Sequence, residues 1–217
     1  MSDTANTGMT LAQRRSNQIK LLILWLIPVL LMATAGITYY LVQAGKLELG
    51  SKNNGVLVRP LLQMTELFKE GAPGSIEGVE REAASLLQGK WTMIVRTKAD
   101  CDQRCRDALY LSRQLHVRLN KDAYRVRRVY MYESESQLNA EFKAFLDQEH
   151  PLIATLPITS AIGDQLASKT TSTAGEPASF FLVDPQGWLM MYYLAHHDGN
   201  AVLADLKHLL KYSREPQ

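Results

Sequence analysis

Residues 89–105 read GKWTMIVRTKADCDQRC, and the fold follows from this stretch. Trp91 to Val95 form an apolar run rich in β-branched and aromatic side chains, which predicts a short buried strand. Cys101 and Cys105 follow in a polar turn, and apolar side chains recur at helical spacing over residues 102–119, which predicts a helix. The two cysteines therefore stand where a strand passes into a helix.

The rest of the chain continues this alternation of strands and helices. We predict a strand over 124–132, a helix over 135–148, strands over 179–183 and 188–193 joined by a tight turn, and a last helix that Asn200 can cap. The order β-α-β-α-β-β-α predicts an α/β domain whose first three strands, joined through helices, are parallel or nearly so. Residues 57–88 are ambiguous, apart from a turn at 71–74 and a helix over 76–87.

The N-terminal region contains one segment suited to a membrane. Residues 21–42 carry no charged side chain, and as a helix they would be about 33 Å long, compared with about 30 Å for the hydrocarbon core of a bilayer. Arg14, Arg15 and Lys20 precede the run, which favours a cytoplasmic N-terminus because basic residues tend to stay on that side. We predict a transmembrane anchor whose C-terminal domain faces the periplasm.

A cleaved signal peptide is the alternative, since Ala33-Thr34-Ala35 has the small-x-small form of a cleavage site. The apolar run continues past this motif, which favours an uncleaved anchor. The predicted organisation is a cytoplasmic arm over 1–20, a transmembrane anchor over 21–42, a linker over 43–56 and a periplasmic domain over 57–217. The chain would then be a single-pass protein of a bacterial inner membrane, in contact with the lipid bilayer through 21–42.

Composition narrows the class of partner. The chain has 217 residues and a net charge of +2, from 24 basic and 22 acidic side chains. Its first 45 residues hold three basic and one acidic side chain, so the remainder holds 24 − 3 = 21 and 22 − 1 = 21 and is neutral. A neutral body argues against nucleic acid as a partner, because nucleic-acid binding depends on neutralising phosphates. Two cysteines exclude a disulfide-rich scaffold and any four-cysteine metal site.

Cys101 and Cys105 are the leading candidates for chemistry. Residues four apart lie on the same face of a helix, and their Cα atoms would be about 6 Å apart, a distance that a disulfide can bridge. The same two sulfurs could bind one soft metal ion. A helix N-terminus and the nearby Lys98, Arg104 and Arg106 would favour the thiolate and raise its reactivity. A static structural disulfide is the third interpretation, although so short a loop constrains the unfolded chain little.

Other candidate residues are less specific. His196 and His197 follow the last predicted strand, where they form a polar turn or, if they approach the cysteines, supply metal ligands. Glu176-Pro177 precedes the strand over 179–183. Either the proline bond is cis and its loop packs against the cysteine turn, or Pro177 is an ordinary proline at the entry to an edge strand.

A single N-terminal anchor, a C-x-x-x-C pair after Gly-Lys and an apolar strand, and the turn Asp184-Pro185-Gln186-Gly187 occur together in this chain. This combination resembles the Sco/SenC family of membrane-anchored copper proteins, over about residues 89–212 and the anchor. The resemblance implies a thioredoxin-like fold on a transmembrane helix and a role in assembling the copper site of cytochrome c oxidase subunit II. It also implies that Cys101 and Cys105 are redox-active and bind copper.

Two positions depart from the family pattern. Asp102 stands where the family usually has proline. The family's third copper ligand is a histidine in the loop before the turn at 184–187, where this chain has Glu176 in the stretch 173–177. A carboxylate is a hard ligand and suits Cu(I) poorly. Three possibilities follow: His196 or His197 substitutes, two thiolates hold copper alone, or the pair works by thiol–disulfide exchange without a metal.

Three functions remain open from the sequence. The first is an assembly factor, rather than a dedicated enzyme, that delivers copper to oxidase subunit II or keeps its thiols reduced, with other oxidase assembly factors as further partners. The second is a general periplasmic thiol–disulfide oxidoreductase without a metal. The third is a non-catalytic assembly scaffold in which the disulfide is static. The family resemblance favours the first.

Overall fold

The described part of the N-terminal unit is one long helix. The computed structural model describes residues 11–43, 53–171 and 180–213, and helix α1 runs over Leu11–Gln43. Within it, Lys20–Leu41 is long and apolar enough to cross a membrane, with a mean hydropathy of 2.3. The segment predicted as the anchor, 21–42, thus lies in a single helix that includes Pro28. A signal sequence would have the same character, so an uncleaved anchor stays a prediction.

Within 53–171 and 180–213, six strands form one mixed sheet. The strands are β1 (Val56–Gln63), β2 (Trp91–Arg96), β3 (Val126–Tyr132), β4 (Ile153–Pro157), β5 (Phe180–Val183) and β6 (Trp188–Tyr193). Their order across the sheet is β1-β6-β5-β2-β3-β4. Strands β2, β3 and β4 are parallel, β5 is antiparallel to both β2 and β6, and β1 is antiparallel to β6.

Helices cover both faces of this sheet. They are α2 (Glu80–Leu87), α3 (Gln103–Arg118), α4 (Ala140–Glu149), α5 (Ser160–Thr170) and α6 (Gly199–Tyr212), with short 3-10 turns at Thr65–Phe68, Asn120–Arg125 and Glu135–Leu138. Helices α3, α4 and α6 pack on one face, and α2 and α5 on the other. Met93 and Val95 of β2 enter the first core and Ile94 enters the second. Because both faces of β2 are buried, its sequence is a continuous apolar run rather than an alternating one.

The predicted α/β order is confirmed, and it corresponds to β2-α3-β3-α4-β5-β6-α6. Strand β1, strand β4 and helix α5 were missed. The prediction of three parallel strands was wrong, because β5 is antiparallel to β2. That prediction assumed a single helix between the second and third strands, whereas β4 and α5 also lie there.

The hairpin of β5 and β6 is closed by the predicted turn at residues 184–187. The Asp184 carboxylate accepts hydrogen bonds from the backbone amides of Gln186 and Trp188 at 2.9 and 2.8 Å. The last helix begins earlier than predicted. Asp198 holds its N-cap position, and Asn200 lies in the first turn, where its side-chain oxygen accepts a hydrogen bond from Arg118.

The folded body begins at Asn53, inside the stretch predicted as a linker over 43–56. Asp205 of α6 is 3% exposed and accepts hydrogen bonds from the backbone amides of Asn54 and Gly55 at 2.9 and 2.8 Å. Its carboxylate also accepts one from the Tyr193 hydroxyl at 3.2 Å. A buried carboxylate is tolerated where such donors replace the water it has lost. These bonds attach the start of the body to its last helix.

We expect Asp205→Ala to lower the free energy of unfolding by at least about 2 kcal/mol, because two amides and a hydroxyl would lose their buried acceptor. Urea unfolding of the full-length protein in detergent, followed by tryptophan fluorescence, measures this change. Asp147→Ala is the matched control, since Asp147 is an exposed carboxylate on α4. Equal losses in the two variants would contradict the role assigned to Asp205.

Candidate functional site

The two predicted cysteines are joined as a disulfide at the start of α3, with their Cα atoms 5.2 Å apart. The helix begins at Gln103, after the N-cap residue Asp102. Cys101 therefore lies in the loop before the helix, and Cys105 lies in its first turn. The expectation that both cysteines share one helix face was wrong, because only Cys105 is helical. The disulfide instead joins the loop to the helix.

The two cysteines differ in their access to solvent. Cys105 is 3% exposed and belongs to the core beneath α3, α4 and α6. Cys101 is half-buried and packs against the margin of the same core. An incoming thiol or disulfide therefore reaches Cys101 before Cys105.

An acidic residue caps the helix that follows Cys101. The Asp102 carboxylate accepts a hydrogen bond from the backbone amide of Cys105 at 3.0 Å. A helix N-terminus carries partial positive charge, which stabilises a nearby thiolate. The Asp102 carboxylate is bound at that terminus, so its negative charge offsets part of the stabilisation that the sequence predicts for the thiols.

The basic residues expected to activate the thiols contribute unequally. Lys98 forms an ion pair with a carboxylate of α5 at 3.3 Å. Arg106 lies over the ring of Phe145, with its guanidinium carbon 4.7 Å from the ring centroid. Arg106 also lines a cavity that includes Cys101, so its charge is better placed to act on that sulfur than the charge of Lys98.

A cavity of about 240 Å³ opens beside Cys101. The apolar part of its lining is formed by Phe142 and Phe145, whose ring centroids are 5.7 Å apart. Polar side chains complete the lining: Asp100, Arg106, Gln137, Asn139 and Glu141. The volume is below the roughly 300 Å³ at which small-molecule sites begin, so the cavity suits a side chain better than a cofactor.

A buried tyrosine that no sequence motif marks lies next to the start of the cysteine loop. Tyr130 of β3 is 0% exposed, and its hydroxyl lies 3.5 Å from the hydroxyl of Thr97. Burial raises the pKa of the Tyr130 hydroxyl above its usual value. Thr97 also donates a hydrogen bond to the carbonyl of Ala99 at 2.6 Å. These contacts hold the first turn after β2.

Strands β2 and β6 run in the same direction, because both are antiparallel to β5. His196 and His197, which follow β6, therefore lie at the same end of the sheet as the cysteines, which follow β2. His197 Nδ1 accepts a hydrogen bond from the backbone amide of Leu194 at 3.0 Å, and the two histidine rings stack with centroids 4.6 Å apart. Across the ranges that the structure describes, no three His, Cys, Asp or Glu side chains form a group that could hold a metal ion. His196 as a third ligand therefore stays a prediction. Glu176 and Pro177 lie outside the described residues.

Residues 91–213 match the protein family described as transmembrane-like, thioredoxin-like, C-terminal domain. The match includes every element from β2 to α6 and more than half of the chain. The chain belongs to this family. Membership of the thioredoxin-like family confirms the fold class that the sequence predicts. No curated protein sequence matches the chain.

Several solved Sco structures are similar to this thioredoxin-like chain. Copper-bound ScoI of Bradyrhizobium japonicum is 18% identical, and the alignment covers 58% of this chain and 88% of that chain with a TM-score of 0.42. Copper-bound yeast Sco1 is 18% identical, and the alignment covers 60% of this chain and 84% of the yeast chain with a TM-score of 0.46. A thiol:disulfide interchange protein from Bacteroides sp. is 12% identical, and the alignment covers 76% of this chain and 95% of the Bacteroides chain with a TM-score of 0.43. Sco proteins are thus among the structures that this chain is similar to, and its functional assignment rests on its own residues.

We expect Asp102→Asn to raise the alkylation rate of the reduced protein by about twofold to fivefold at neutral pH, because it removes one negative charge beside the thiols. Asparagine keeps the N-cap hydrogen bond, so the helix should stay intact. The rate is measured with iodoacetamide on the full-length protein in detergent. Asp107→Asn, one turn further along α3, is the control and should leave the rate unchanged. An unchanged rate in Asp102→Asn would contradict this role.

Proposed function

We propose that this chain is a membrane-anchored, Sco-like assembly factor for cytochrome c oxidase that acts on the cysteines of oxidase subunit II by thiol–disulfide exchange. The observation that carries the proposal is the unequal access of the cysteine pair. Cys101 is half-buried beside a cavity, and Cys105 is enclosed in the core. Exchange needs one accessible thiol that attacks and a sheltered thiol that resolves the mixed disulfide.

The proposed exchange starts from the reduced pair. The Cys101 thiolate attacks one sulfur of the partner's disulfide and expels the other as a thiolate, which takes up a proton. The Cys105 thiolate then attacks the Cys101 sulfur and expels the partner's second thiolate, which is protonated in turn. The partner gains two electrons and two protons, and the Cys101–Cys105 dithiol loses them. A dithiol reductant returns the protein to its reduced form.

Copper takes no part in the proposed exchange. The site implied by the family resemblance needs two thiolates and an imidazole, and the described residues bring no third ligand into a group with the two sulfurs. Within the described residues the donor set is therefore smaller than the one that the resemblance implies, and no step of the proposed exchange runs through the metal. ScoI of Bradyrhizobium japonicum and Sco1 of yeast do bind copper. Copper delivery is accordingly the competing version of the function.

The proposed location follows from the anchor and the charge pattern. Residues 1–20 would lie in the cytoplasm, 21–42 in the inner membrane of a bacterium, and the domain over 57–217 in the periplasm. The basic residues Arg14, Arg15 and Lys20 support this orientation. A cysteine pair within bonding distance also fits an oxidising compartment.

We expect the Cys105→Ser variant to retain oxidase subunit II as a disulfide-linked adduct, because Cys101 can attack but nothing resolves the mixed disulfide. Cys101→Ser is the matched variant and should retain several-fold less, since its remaining thiol is buried. Full-length variants are expressed in their native membrane, and adducts are separated by non-reducing electrophoresis and identified by mass spectrometry.

Other adduct patterns would overturn the proposal. Adducts with many unrelated proteins would indicate a general oxidoreductase. No adduct, together with normal oxidase assembly in the Cys101→Ser/Cys105→Ser double variant, would indicate a non-catalytic scaffold.

Copper delivery is tested separately by Cu(I) titration of the reduced full-length protein against a competing chelator. One tightly held ion that is lost in the double-cysteine variant would favour delivery over exchange.

A further inference from the structure

We propose that the cavity beside Cys101 recognises a basic side chain next to the partner's cysteine. This inference rests on the proposed exchange function and names the class of segment that the site prefers. Cys101 itself lines the cavity. A partner whose sulfur is bonded to Cys101 must therefore bring the residues beside its own cysteine close to the other lining side chains.

Negative charge is in excess among the side chains that line this cavity. Asp100 and Glu141 line it and are exposed, and within the described part of the chain neither forms an ion pair. Arg106 supplies the positive charge of the lining, and its guanidinium is held over the ring of Phe145. Two carboxylates against one guanidinium leave one negative charge uncompensated, which a cationic occupant would neutralise.

The aromatic part of the lining suits the same occupant. Phe142 is buried and Phe145 is half-buried, so together they offer an apolar surface beside the two carboxylates. The aliphatic stem of a lysine or arginine packs on such rings while its charged end reaches the carboxylates. An acidic side chain would meet two like charges. A cavity of about 240 Å³ has room for one side chain of this kind.

The test compares three short peptides whose cysteine is followed by lysine, alanine or glutamate. Each peptide is supplied as a mixed disulfide with an aromatic thiol, and the reduced full-length protein in non-ionic detergent attacks it. The absorbance of the released aromatic thiolate gives the rate. At low ionic strength we expect the lysine peptide to react about threefold to fivefold faster than the alanine peptide, and the glutamate peptide to react more slowly than both.

Matched variants separate the cavity from the general charge of the protein. Glu141→Gln should bring the ratio of lysine to alanine rates close to one, and Asp100→Asn should lower it. Glu77→Gln should keep the ratio of the unmodified protein. Glu77 is an exposed carboxylate just before α2, a helix on the opposite face of the sheet from α3 and α4.

A preference lost in Glu141→Gln and kept in Glu77→Gln supports the recognition site. Equal rates for the three peptides, or an equal loss of preference in both variants, would overturn the recognition site and leave the exchange function standing. No reaction with any peptide would overturn both.

Discussion

Burial of both faces of β2 is the constraint on which the rest of the structure depends. Its last residue, Arg96, forms an ion pair with Glu133 at 2.5 Å, and these side chains are only 9% and 11% exposed. Helix α5 packs over the pair at Gly163, where a Cβ atom would overlap both side chains. Removing one partner of such a buried pair typically costs about 3–5 kcal/mol. The cysteine loop begins at the next residue, so a tightly packed strand end determines where that loop starts.

The site lies at the boundary between this rigid core and solvent. Cys105 belongs to the core, whereas Cys101 lines a small cavity between the cysteine loop, α3 and α4. Tyr130 and Thr97 hold the beginning of the loop, and Asp102 sets the charge at its end. An arrangement that shelters one sulfur and presents the other suits chemistry that passes through a mixed disulfide.

The sequence predicts the parts of this fold that have strong local signals. Strands β2 and β6 and the cysteine turn belong to this class. Strand β4 was missed because it has five residues, is mostly half-buried and ends in Pro157. Strand β1 contains Pro60 and pairs irregularly with β6, so it lacks a regular alternation. The buried position of Arg128 in β3 is not evident from the sequence either, because a charged side chain is usually exposed. Its guanidinium donates a hydrogen bond to the carbonyl of Pro151, and burial lowers its pKa to about 10. The cavity beside Cys101 combines residues from separate elements, so no local pattern predicts it.

The attachment at Asp205 has a mechanical consequence. The chain enters the folded body at Asn54 and Gly55, whose amides are held by this buried carboxylate of α6. Tension applied along the chain from its N-terminal side would load these bonds first and then the edge strand β1. The cysteine loop follows β2, which two further strands, β6 and β5, separate from β1. The Cys101–Cys105 disulfide therefore lies off the path that would carry the load.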